Sequence, residues 1–62
     1  MGMTAKELIK KMEAAGFRCV RISGSHRIFS KKGFPPIPVP VHAGKDLKPG
    51  LLHKLLKLTG LE

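Results

Sequence analysis

The stretch Ile37-Pro38-Val39-Pro40-Val41 limits the fold more than any other part of this chain. Three β-branched residues alternate with two prolines, which favours an extended backbone. Proline has no amide hydrogen to give to a sheet ladder, so it is excluded from central strands. Every second residue of a strand directs its amide to the same side, and both missing donors therefore fall on one edge. The segment is predicted to be an edge strand that pairs through residues 37, 39 and 41 and is closed to pairing on its other side. Ile37, Val39 and Val41 share the face expected to meet the core, and Pro38, Pro40 and His42 share the opposite face.

The remaining elements follow from local signals. Thr4 and Glu7 have the spacing of a capping box at a helix start. Leu8, Ile9, Met12 and Ala15 then recur as one apolar stripe, and Gly16 supplies a left-handed stop. Residues 17–22, which include Cys19, read as a first strand. Ser23-Gly24-Ser25 is a turn, and His26 to Lys31 reads as a second strand that completes a hairpin. Residues 32–36 are a loop, in which Phe34 is either a lid on the core or an exposed stacking ring, with the lid favoured. Ala43 to Lys48 is a second loop. Pro49 opens a final helix whose stripe is Leu51, Leu52, Leu55, Leu56 and, at its margin, Leu58, with Gly60-Leu61 as its stop. The predicted order is α-β-β-β-α. This is an α+β domain over residues 1–62, with a three-stranded antiparallel sheet and two helices on one face. Met1-Gly2-Met3 admits Met3 as the natural start.

Size and charge narrow the chemistry. Sixty-two residues support a small core and leave no room for a cofactor domain, so chemistry belongs on the surface. Twelve Lys and Arg against four Asp and Glu give a net charge of +8, a balance that points to nucleic acid before an acidic protein or an anionic membrane. The single cysteine, Cys19, cannot staple the fold, which suits a reducing, cytoplasmic setting; within its apolar run it reads as a buried structural residue. No apolar run is long enough to span a membrane. Glu7, Glu13, Asp46 and Glu62 are too scattered to hold magnesium, and one Cys with three separated His does not make a zinc site. No metal or cofactor is expected. With three Phe and no Trp or Tyr, base stacking and sequence selectivity should be weak.

One cluster stands out for chemistry. His26 follows a glycine turn at the start of a strand, which holds its ring on a rigid element. Its alternative role is a strand histidine bonded to the backbone. Histidine exchanges protons near neutral pH, and RNA carries its own nucleophile in the 2′-hydroxyl, so an imidazole beside a phosphodiester can drive cleavage. Gly24 gives the turn its geometry, and Ser25 either donates to phosphate or caps the turn. Arg27 should face the opposite side of the strand from His26. His42 is a candidate second proton-transfer group if the fold brings it near His26; otherwise it is a loop histidine. His53 reads as a surface residue. Lys45, Lys48, Lys54 and Lys57 gather around the last helix, where Lys45 and Lys48 join a helix N-terminus in attracting phosphate.

The ordered series Gly24-Ser25-His26, Ile28-Phe29, Pro38-Val39-Pro40-Val41-His42, Gly44-Lys45-Asp46-Leu47-Lys48-Pro49-Gly50-Leu51-Leu52 and Gly60-Leu61 resembles the HicA family of mRNA interferase toxins, from Thr4 to Leu61. The resemblance implies a fold like that of double-stranded-RNA-binding domains. It also implies endoribonuclease activity with His26 as the catalytic histidine, and a HicB-type antitoxin that covers the basic surface and the histidine; by position and charge, Gly24, Ser25, Lys45, Lys48 and Lys54 are the expected RNA contacts, and Arg27 a general RNA or partner contact. The rival expectation is a non-catalytic basic RNA-binding module in which His26 is structural.

Overall fold

The computed structural model describes residues 2–62; Met1, and with it the question of which methionine starts the natural chain, lies outside them. The order is α1 (Ala5–Ala14), β1 (Arg18–Ser23), β2 (His26–Ser30), β3 (Ile37–Pro40) and α2 (Pro49–Thr59). The three strands form one antiparallel sheet in the order β1-β2-β3, so β3 is an edge as its prolines require. Arg27 pairs with Val39 and Phe29 with Ile37. The Val41 amide donates to the Ser25 carbonyl at 2.7 Å. Antiparallel ladders alternate, so residues 37, 39 and 41 send their amides inward while Pro38 and Pro40 occupy the outward positions.

Local chemistry sets the helix ends. The Thr4 hydroxyl accepts from the Glu7 amide at 3.2 Å, and the Glu7 carboxylate accepts from the Thr4 amide at 2.9 Å. The bond from the Thr4 amide, followed by that from its hydroxyl, holds the Glu7 carboxyl below the usual carboxylate range. Because the folded-state pKa lies below the unfolded one, the contribution of the box is complete above the ordinary carboxylate pKa and is lost as pH falls through the depressed value. We expect Thr4→Ala to cost about 1 kcal/mol and to flatten the acid limb of stability against pH, as read from urea midpoints between neutral pH and pH below the carboxylate range; an unchanged acid limb would show that the box does not stabilise the helix. At the other end of α1, Gly16 has φ 101°, and the Phe17 amide returns to the Met12 carbonyl at 3.0 Å. α2 ends in the same way, with Gly60 left-handed and the Leu61 amide bonded to Leu56 at 3.0 Å.

Both helices cover one face of the sheet. Ala5, Leu8, Ile9 and Met12 from α1 meet Phe29, Ile37, Val39 and Leu55, and Phe17 and Leu47 close the margins. Phe34 is the lid: its ring meets Phe17 edge-on at 5.0 Å. Two expectations are corrected. Leu58 is exposed, and the buried position on that flank belongs to Thr59, one turn beyond Leu55, whose hydroxyl bonds to the Leu55 carbonyl at 2.8 Å. Cys19 is exposed rather than buried. All of β1 is exposed, including Val20 at 61% and Ile22 at 64%, because the helix layer lies over β2 and β3 and stops short of this outer strand. Leu47 was unforeseen as a core residue. Its amide donates to the Met3 carbonyl at 2.8 Å, and Thr4 bridges to Asp46, so the start of the chain pins the loop before α2.

Candidate active site

The hairpin positions His26. Gly24 has φ 60°, and no other residue of the turn has positive φ. This is the φ pattern of a type II′ turn, whose twist suits a two-residue hairpin and which favours glycine at its first central position. Gly24 and Ser25 are the turn itself; Ser23 pairs with His26, Ile22 with Arg27 and Arg21 with Ile28. Phe29 and Val39 point to the helices, so Arg27, paired with Val39, shares their side. His26, paired with Pro40, therefore stands on the helix-free face. It is exposed.

This register reveals a residue that sequence reasoning passed over. Arg21 lies on the same face as His26 and one step diagonally across the ladder. Such neighbours are about 7–8 Å apart, within reach of a long side chain. The signal was present in the two-residue turn, which fixes the pairing of 23 with 26 and hence of 21 with 28. Arg21 and His26 place a cation beside an imidazole on an open surface.

The other candidates form a second group on the helix side. β3 ends at Pro40, one residue before Val41, and the chain then turns away from the sheet. His42 consequently leaves the face it would have shared with Pro40. It lines a cleft against α1 together with Lys6 and Arg27. It also lines a neighbouring cleft with Lys45, Lys48 and Leu51 at the start of α2. His26 and His42 thus lie at the same end of the sheet but open to different sides. Lys48 is the N-cap of α2, and Pro49 follows at its first turn. At about 100° per residue, Lys54 lies some 60° around the helix from Leu51 and outside the residues that line this cleft, whereas Lys57 lies about 120° away. His53 is exposed and sits 3.7 Å from Glu62. Among the described residues, no three His, Cys, Asp or Glu side chains come together as a metal site. Likewise, no described helix is long and apolar enough to cross a membrane.

An α-β-β-β-α chain with both helices on one face, a histidine on the bare face and lysines at the start of the last helix defines a small basic α+β domain. The family described as HicA toxin of bacterial toxin-antitoxin matches residues 5–61, nearly the whole chain, and the protein belongs to that family. It is a toxin of a toxin–antitoxin system, and membership implies an antitoxin partner. No curated protein matches the chain.

Proposed function

We propose that this toxin is an endoribonuclease in which His26 moves the proton that cleavage requires, and that a HicB-type antitoxin restrains it. The observation that carries the reading is the exposed His26 on the helix-free face, directly after the turn and diagonal to Arg21. In this scheme the imidazole takes the proton of the RNA 2′-hydroxyl, and the 2′-oxygen attacks phosphorus. The bond from phosphorus to the 5′-oxygen then breaks, and the imidazolium returns its proton to that oxygen. The proton balance closes on one residue. Arg21 supports the charge that builds on the phosphorane. Arg27, Lys45, Lys48 and Lys54, with the backbone at Gly24 and Ser25, hold flanking phosphates. His42 opens to the other side of the sheet from His26, so in this scheme it contacts RNA beside the lysines rather than sharing the proton transfer.

The products report the mechanism. Cleavage should leave a 2′,3′-cyclic phosphate or 3′-phosphate and a 5′-hydroxyl, and it should persist in EDTA. Mass spectrometry of a cleaved oligonucleotide reads both ends. A 5′-phosphate product, or activity lost in EDTA and restored by magnesium, would replace this chemistry with a metal-assisted one.

A further inference from the structure

We infer that the cleft between α1, Arg27 and the loop after β3 is a nucleotide subsite, holding one nucleotide of single-stranded RNA with its base inward and its phosphate at the rim. The biological occupant rests on the ribonuclease reading; the physical case rests on the cleft. Its volume is about 410 Å³, within the size of small-ligand sites. Ile9, Val41 and Ala43 give it an apolar floor, and Lys6, Arg27 and His42 bring cationic or protonatable groups from three separate elements. No carboxylate lines it. Among the described residues the single ion pair joins His53 to Glu62, so Lys6 and Arg27 are not engaged by acids.

Arg27 is the most telling of these residues. It occupies a helix-side position on the central strand, two residues before the fully buried Phe29 and opposite the fully buried Val39. An apolar residue there would extend the core. Local rules broken in this way are the mark of a functional position. An apolar floor under a cationic rim suits an amphiphilic anion, and a nucleotide offers a flat base and a phosphate together. No Phe, Tyr or Trp lines the cleft, so the base rests on aliphatic groups with the His42 imidazole as the one ring beside it, and binding is weak for a single nucleotide. The neighbouring cleft, about 400 Å³ and lined by Lys45 and Lys48 with Asp46 between them in sequence, shares His42 as a wall. A strand seated in the first cleft therefore continues over His42 to those lysines.

The test is an NMR titration of the intact protein with adenosine 5′-monophosphate, uridine 5′-monophosphate and inorganic phosphate. It is repeated with a single-stranded RNA hexamer on the His26→Ala variant. Both nucleotides should move the methyl signals of Ile9, Val41 and Ala43 saturably, whereas phosphate alone should not. Ala43→Leu, an exposed loop substitution that fills the cleft, should weaken nucleotide binding at least about tenfold while leaving the circular dichroism spectrum unchanged. Arg27→Gln should lower the magnitude of the log–log salt slope for the hexamer by about one. If the hexamer shifts Lys45 and Lys48 but leaves the three methyls still, and Ala43→Leu binds like wild type, the subsite is wrong and the ribonuclease reading stands. If nucleotides fill the cleft but no RNA is ever cleaved, the subsite stands and the ribonuclease reading falls. An acidic peptide that displaces the nucleotides at far lower concentration would reassign the cleft to a protein partner.

Discussion

His26→Ala should lower RNA cleavage by roughly 10²–10⁴, the range expected when one positioned acid–base group is removed, and should relieve growth inhibition. The domain should stay folded. His26 is exposed and lies on the sheet face that carries no core residue, so its truncation opens no cavity. RNA affinity should survive, because the lysines at the start of α2 and Arg27 are untouched. Arg21→Ala should reduce turnover at saturating RNA more than it reduces binding, as expected for a group that meets charge only as it develops. Single-turnover cleavage, paired with circular dichroism and a filter-binding assay, separates these effects. A folded His26→Ala protein that cuts at the wild-type rate would move the chemistry elsewhere and favour the non-catalytic RNA-binding reading.

The largest effect on stability should come from Phe29→Ala. Phe29 is 1% exposed, lies on the central strand and is the bulkiest of the fully buried side chains. Removing a buried phenyl ring costs about 3–5 kcal/mol. A core of this size supplies roughly that much in total, so the variant should be largely unfolded at room temperature, with no cooperative urea transition. Ile22→Ala, at a position 64% exposed, should change stability by no more than about 0.5 kcal/mol. A cooperative Phe29→Ala transition near the wild-type midpoint would mean that the helices do not pack on β2 as described. Cleavage lost in this variant reports unfolding, which is why the folded His26→Ala protein is the informative one.

The fold was largely legible because its signals are local. The Thr4–Glu7 box, the glycine stops at 16 and 60, and the alternating prolines each act within a few residues of themselves, and the structure shows each where expected. Reach was harder to read. The alternation in β1 states which residues share a face, but not how far two short helices extend over that face. Cys19 therefore reads as buried in sequence yet remains uncovered, as does the apolar Ile22. The β1–β2 register also shifts between Cys19 and Arg21, leaving Val20 as an extra residue that spoils the period. The side on which His26 stands was ambiguous because Ile28 and Phe29 are both apolar neighbours, and only the pairing with Pro40 resolves it. The direction of His42 depended on where β3 stops, which no propensity scale fixes to one residue.

The two margins of the sheet have different consequences for how copies of this toxin can associate. β3 offers no donors outward at residues 38 and 40, whereas β1 is exposed along its length and contains no proline. Two molecules that joined margin to margin through β1 would present only proline-bearing borders to a third. Such association closes at a pair, and a linear stack cannot propagate from it. Arg18 and Arg21 on each copy further oppose that pairing through like charge. Two rings that lack an amide hydrogen thus oppose fibre growth at one border of the sheet, and the other border alone stays open to a partner strand.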